Sequence, residues 1–202
     1  AILCLPDDAA REAATLAEGS RVRLIDASTA HRTADGWAYG FAELAPQQRD
    51  AIAQSARVSN PGCYPTGFLA LIAPLVQRGL IPADLPLTCN AVSGYSGGGK
   101  ALIARFAEKE RDIAWRGYAL SLNHKHVPEM QRHAGLAIAP LFAPAVVPAY
   151  RGMVVEVPLQ RTGTSIAPAE ELVSAWTEHF AGSPLVSVGG LGADGEILLR
   201  SH

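Results

Sequence analysis

Ser59-Asn60-Pro61-Gly62-Cys63-Tyr64-Pro65-Thr66-Gly67 is the stretch on which the reading of this chain turns. Two prolines and two glycines fix its backbone in a tight shape, with one cysteine at the centre. An apolar run follows from Phe68 to Val76, with apolar residues at 68, 69, 71, 72, 75 and 76. That is helical spacing, and Gly79 suits the C-terminal end of the helix. The pattern predicts a helix over 66–78 and sets Cys63 at or near its N-terminus. Unpaired backbone N–H groups and the positive end of the helix dipole gather there. Both favour the thiolate, the nucleophilic form of cysteine. The alternative at such a position is an inert, buried thiol.

Upstream, Ala1–Pro6 reads as the end of a buried strand, and Asp7-Asp8 open a helix running to about Glu18. Arg21–Ile25 reads as the next strand, which makes a β-α-β unit and a parallel sheet. Residues 29–45 look like loop, with Trp37, Tyr39 and Phe41 alternating with smaller residues. A short helix over Gln47–Ala56 leads into the cysteine turn. Downstream, Leu85–Ser93 alternates like a strand, a Gly-rich loop covers 94–99, and a helix is expected from Lys100 to Glu110. Tyr118–Leu122 is expected to be extended, and Pro128-Glu129 to open a helix ending near Gly135. Ala145–Tyr150 and Met153–Leu159 read as two antiparallel strands joined at Arg151-Gly152. Pro168–Phe180 reads as a helix, and Val186–Gly192 and Ile197–Leu199 as strand, turn and strand. The expected class is α/β followed by α+β. The absence of an initiator Met before a core strand is expected of a fragment or of a chain with a very short front.

The chain has 202 residues, 49% of them apolar and 18% charged, enough to bury a core. Its formal charge of −2 gives no electrostatic footprint for nucleic acid or an anionic membrane. No apolar run approaches the ~20 residues that span a bilayer. Cys4, Cys63 and Cys89 are odd in number and widely spaced. They predict no disulfide framework and a reducing, cytoplasmic setting.

His124-Lys125-His126-Val127-Pro128-Glu129 holds the best partners for a nucleophilic sulfur, because imidazole moves protons near neutral pH. If the segment is extended, His124 and His126 share a face. Glu129 is placed to orient an imidazole. Two solvated histidines on a loop are the alternative. His124, His126 and His133 with Cys63 or Cys89 could in principle ligate zinc, but no metal-binding spacing occurs and no metal is expected. Gly94-Tyr95-Ser96-Gly97-Gly98-Gly99-Lys100-Ala101 fits G-x-x-x-x-G-K, yet Ala101 stands where a magnesium-binding hydroxyl belongs. Nucleotide contact without hydrolysis, or a structural Gly turn, are the readings left. Arg32, and Arg105 or Arg111, are candidates for gripping an anionic substrate.

SNPGCYPTG, SGYSGGGK and NHKHVPE, in that order and spacing, resemble the N-acetyl-γ-glutamyl-phosphate reductases. The stretches AILCLPDDAARE and AHRTADGWAYGFAEL resemble the shorter bacterial form of that family. The resemblance runs from residue 1 to about residue 160. It implies kinship of fold with aspartate-semialdehyde and glyceraldehyde-3-phosphate dehydrogenases: a partial Rossmann-like NADP-binding domain over 1–62, then a mixed-sheet catalytic and dimerisation domain over 63–202. It implies Cys63 as nucleophile, His124 and His126 as the proton-handling pair, and Glu129 beside them. Leu5, Pro6, Ser93, Gly94, Ser96, Gly97 and Gly98 are implied as cofactor-binding, and Arg32 and Asn60 as substrate-binding. The implied reaction is NADPH-dependent reduction of an acyl phosphate through a cysteinyl thioester, by a cytoplasmic homo-oligomer. The family's opening strand and Gly-rich turn precede anything present here, so weak NADPH binding and slow or no turnover by this chain alone are expected. Three other readings compete: a P-loop-like nucleotidase or kinase, a non-catalytic remnant, and a thiol-dependent hydrolase.

Overall fold

The computed structural model describes residues 1–110, 112–190, 195–197 and 199. Strand β1 (Ile2–Leu3), helix α1 (Asp7–Leu16) and strand β2 (Leu24–Asp26) make the expected β-α-β unit. β1 and β2 run parallel, with Ile2 opposite Ile25 and Leu3 opposite Asp26. β3 (Ala38–Tyr39), helix α2 (Gln48–Gln54) and β4 (Arg57–Ser59) complete the first sheet, in the order β1-β2-β4-β3 with every pairing parallel. All four strands therefore end at one edge, where the loops of an open parallel sheet build sites. Asp26 accepts the amide of Asn60 through its backbone carbonyl at 2.7 Å, which holds the start of the cysteine turn against that edge. The 29–45 segment is not wholly loop, because Ala38 and Tyr39 pair with Val58 and Ser59.

Helix α3 spans Cys63–Gln77 and so begins three residues earlier than its apolar spacing implies. Pro65 fits its first turn, where a missing N–H costs nothing. Phe68, Leu69, Ile72 and Leu75 are fully buried. They pack α3 onto the second sheet and its helices. That sheet contains β5 (Thr88–Gly94), β6 (Arg116–Gly117), β7 (Leu141–Val147) and β8 (Met153–Glu156), in the order β6-β7-β5-β8. A 3-10 turn over Tyr95–Gly98 leads from β5 into helix α4 (Gly99–Glu108). Helix α5 covers Val127–Ala134 and closes on Gly135 in the left-handed conformation, φ 72°. Helix α6 covers Ala169–His179, and Trp176 Nε1 on it donates to the Leu71 carbonyl of α3 at 2.7 Å.

Further expectations change. The opening segment is not a buried strand: β1 lies at the edge of its sheet, Ile2 is 69% exposed and Leu3 alone reaches the core. β7 and β8 run in opposite directions but are not neighbours: β5 lies between them, parallel to β7 and antiparallel to β8. The connecting turn crosses the end of β5, where Gly94, Tyr95 and Ser96 donate to the carbonyls of Gly152, Ala149 and Tyr150. Residues 118–122 are not a strand. The strand is Arg116–Gly117, after which Ala119 and Leu122 take positive φ (53° and 60°) and turn the chain. Val186–Gly190 form no strand, while Leu191, Gly192 and Leu198 lie outside the described residues. Among the described residues no helix is long and apolar enough to cross a membrane.

Because Phe68 has no exposed surface, Phe68→Ala is expected to lower unfolding free energy by about 3–5 kcal/mol, read from the denaturant midpoint. A loss under about 1 kcal/mol would place the core elsewhere.

Candidate active site

The connection from β4 to α3 is only Asn60-Pro61-Gly62. It delivers Cys63 to the first turn of α3, exposed to solvent. The turn is held from below by a buried carboxylate. Glu129, on the first turn of α5, accepts the Gly62 amide at 2.6 Å and the Tyr39 hydroxyl at 2.6 Å. Arg32 Nη1 lies 3.4 Å from its other oxygen. A methyl group on Gly62 would sit 2.7 Å from Arg32 Nη1, 2.8 Å from Glu129 Oε2 and 2.9 Å from His126 Nε2, so any side chain there would displace the ion pair and the imidazole. Glu129 thus orients the cysteine turn; its hydrogen bonds go to Gly62, Tyr39 and Arg32 rather than to an imidazole.

Cys63, His124 and His126 line one cavity of about 520 Å³, together with Arg32, Ser93, Gly97 and Gly98. His124 and His126 are not extended: they sit in the turn that opens α5, with ring centroids 4.6 Å apart. The amide of His126 donates to His124 Nδ1 at 3.1 Å. Neutral His124 therefore carries its hydrogen on Nε2. His126 is buried, and its Nδ1 has no protein partner. Burial, with smaller effects from His124, Arg32 and Lys125, pushes the His126 imidazole down to about 3. Burial and then Lys125 also lower His124. Both rings are neutral at pH 7, able to donate or accept a hydrogen bond rather than to carry standing charge.

The other expected residues divide. Ser93 lies on the cavity wall and accepts the Tyr64 hydroxyl at 2.8 Å. Asn60, Leu5, Pro6, Gly94 and Ser96 are not part of the wall. Asn60 gives its carbonyl to Arg32 Nε at 2.9 Å, and Leu5 and Pro6 lead from β1 into α1 at the shared strand edge. Gly94 is a packing requirement: a methyl there would meet the Ala149 carbonyl and the Arg151 amide at 2.7 Å. The first glycine of the P-loop-like run is therefore wedged against backbone, and Lys100 is exposed beyond the turn. Arg105 lines the cavity, whereas Arg111 lies outside the described residues. His133 stacks on Tyr39 and bonds the Arg32 carbonyl at 2.6 Å. Cys89 is buried, which pushes its thiol up to about 12. Among the described residues no group of three His, Cys, Asp or Glu could hold a metal ion.

Tyr64, Arg116, Tyr118 and Lys125 also face the cavity. Sequence spacing does not single them out, although Tyr64 and Lys125 sit inside the motifs themselves. Tyr39, the partner of Glu129, is legible only as the middle member of an alternating aromatic triplet.

A cysteine at the start of one helix and a histidine pair at the start of another, facing one cavity beside a mixed sheet, define a class. The family model for the semialdehyde dehydrogenase dimerisation domain matches residues 63–196, and the chain belongs to that family. Over 196 residues it is 52% identical to the N-acetyl-gamma-glutamyl-phosphate reductase of Trichormus variabilis, covering 93% of this chain and 61% of that protein. Over 194 residues it is 52% identical to the reductase of the same name from Brucella anthropi, covering 93% and 62%. The chain thus spans about three fifths of the length of these relatives. Among solved structures, aspartate semialdehyde dehydrogenase II of Vibrio cholerae complexed with ASA superposes with a TM-score of 0.70 at 15% identity, covering 98% of this chain and 64% of that one. The Candida albicans aspartate semialdehyde dehydrogenase with NADP gives 0.62 at 14%, covering 86% and 53%. At such identities the likeness is one of fold, and it agrees with the parallel-sheet-then-mixed-sheet architecture.

The His126 imidazole sets a pH dependence. Between the ordinary value of 6.5 and about 3, the unfolded chain binds this proton and the folded chain does not. Stability therefore carries no cost from this group above pH 6.5 and falls as the pH drops below it, by up to ~1.4 kcal/mol per pH unit. An NMR titration should find the His126 ring neutral down to about pH 4; a midpoint near 6.5 would contradict the burial argument.

Proposed function

We propose that the chain carries the acylating half of an N-acetyl-γ-glutamyl-phosphate reductase. The observation that supports this most directly is one cavity shared by an exposed helix-start cysteine, two neutral imidazoles and several cationic side chains.

In this reading the Cys63 sulfur attacks the acyl carbonyl, the carbon–oxygen bond to phosphate breaks, and inorganic phosphate leaves with the electron pair. A thioester on Cys63 remains. Backbone N–H groups at the start of α3 face the carbonyl oxygen as negative charge develops on it; one such donor is typically worth ~3 kcal/mol. The Nε2–H of His124 is a second donor for that oxygen. The cationic lining favours an anionic acyl phosphate over neutral esters.

The site fits a nicotinamide cofactor at its reactive end. A methyl on Gly97 would meet only Ser93 Oγ, at 3.9 Å, so the wall there is open, flanked by Ser93 and Gly98. Ser93, Gly97 and Gly98 would hold the nicotinamide end, and Leu5 and Pro6, at the strand edge, would border its pocket. Reduced nicotinamide, when bound, supplies the hydride that takes the thioester to the aldehyde level. NADPH as the form used, a homo-oligomeric assembly and a cytoplasmic setting belong to the same reading, as does a division into a partial cofactor domain and a catalytic domain.

Mixing the protein with N-acetyl-γ-glutamyl phosphate should release one equivalent of phosphate and acylate Cys63. Cys63→Ser should lower the release rate at least ~10³-fold. Supplying the semialdehyde, phosphate and NADP⁺ should form NADPH only slowly with this chain alone, and what forms should depend on Cys63 in the same way. Phosphate release that persists in Cys63→Ser would contradict the assignment.

A further inference from the structure

The cavity wall holds Arg32, Arg105, Arg116 and Lys125. Arg32 is committed to the fold: its guanidinium donates to Glu129, to the Asn60 carbonyl and to the Ala27 carbonyl. Arg105 and Arg116 are held in another way. Arg105 extends from the last turn of α4 and Arg116 from β6, and both meet the Glu110 carboxylate. Glu110 Oε1 accepts from Arg105 Nε at 2.9 Å and from Nη2 at 2.6 Å, and Oε2 pairs with Arg116. Glu110 is not part of the cavity wall, and its two carboxylate oxygens are taken up by the two arginines. The Arg116 guanidinium also lies over the Phe106 ring, 5.8 Å from its centroid, and Phe106 stacks on Tyr95.

We propose that Arg105 and Arg116 form a twin-guanidinium grip for an oxyanion of the substrate, and that Glu110 is the positioning residue that holds them side by side. The inference rests on the acyl-phosphate reading of Cys63 and names how that substrate is held. Two guanidinium groups repel each other, and Arg105 has half its side chain in water. Without a shared counter-ion they would splay apart. With Glu110 shared between them, each keeps N–H groups to offer a carboxylate or phosphate, the planar forked geometry such anions bind best. The shared chemistry is a tetrahedral or planar oxyanion, which this substrate carries as phosphate at one end and carboxylate at the other.

Charge alone and positioning predict opposite signs for Glu110→Gln. That change makes the cavity more positive, so a purely electrostatic wall would bind anions more tightly. Positioning requires weaker binding. The test alkylates Cys63 of the 202-residue protein with neutral iodoacetamide and finds the concentrations of N-acetyl-L-glutamate and of inorganic phosphate that halve the rate. Arg116→Gln and Glu110→Gln should each raise that concentration roughly tenfold for one of the probes, which shows whether the grip takes carboxylate or phosphate. Glu110→Asp should recover part of the loss. Each variant's half-protection concentration is read against that variant's own alkylation rate without probe. Should Glu110→Gln not fold, Glu110→Asp gives the test by itself: it keeps the charge and draws the carboxylate back, so positioning requires weaker protection than in wild type, whereas charge alone leaves it unchanged. Tighter or unchanged protection in Glu110→Gln, or no protection of wild type by either probe, would overturn the proposal. Acyl transfer to Cys63 is read separately by phosphate release, so protection can fail while acylation persists, and the reverse.

Discussion

The buried carboxylate of Glu129 is the constraint on which the site depends. A charge out of water costs several kcal/mol unless it is paired and hydrogen-bonded. Here it is both: Arg32 supplies the opposite charge, and the Tyr39 hydroxyl and Gly62 amide supply short hydrogen bonds. These partners come from the loop after β2, from β3, and from the turn before α3. One side chain on α5 therefore fixes three distant pieces of the first sheet's edge. Tyr39 is shifted strongly upward by burial and then by Glu129, so it stays a hydroxyl donor at any working pH. Gly62 is the matching requirement on the other side, since any Cβ would strike the charged pair and His126.

That arrangement also sets the electrostatics around Cys63. Glu129 and His126 belong to the same turn of α5, so the helix that anchors the cysteine brings the imidazoles with it. His126 is buried and His124 half-buried; burial and then Lys125 disfavour a positive charge on His124, and burial with His124, Arg32 and Lys125 disfavours one on His126. Positive potential comes from arginine and lysine, which keep their charge, and hydrogen bonding comes from imidazoles that stay neutral. A thiol acyl acceptor for an anionic acyl phosphate needs both, and a cavity lined by standing imidazolium would confuse the two roles.

Much of this was legible in the sequence, in unequal measure. Cys63 at the start of a helix, the α1 and α5 starts and the β-α-β opening follow from local signals: prolines, glycines, acidic first turns and apolar periodicity. The cavity shared by the cysteine and the histidine pair agrees with the motif order. What local signals miss is non-local. The insertion of β5 between β7 and β8 depends on a turn crossing Gly94, and the two strands alone read as a hairpin. Glu129 reads as a partner for its sequence neighbours, yet its hydrogen bonds reach Tyr39 and Gly62, 90 and 67 positions away. Arg116 matters through Glu110 and Phe106, contacts set by how α4 and β6 pack and not by any spacing. The 118–122 segment turns because Ala119 and Leu122 adopt positive φ, which neither residue type announces.

The most direct measurement is hydrogen exchange of the Gly62 amide in the native protein. Gly62 lies outside regular helix hydrogen bonding, and its N–H has one partner, the Glu129 carboxylate at 2.6 Å. If that bond anchors the cysteine turn, the amide exchanges as slowly as those of α3, and Glu129→Gln speeds it while core amides stay slow. An amide that exchanges as fast as the exposed loops in wild type would show that the turn is held by something else.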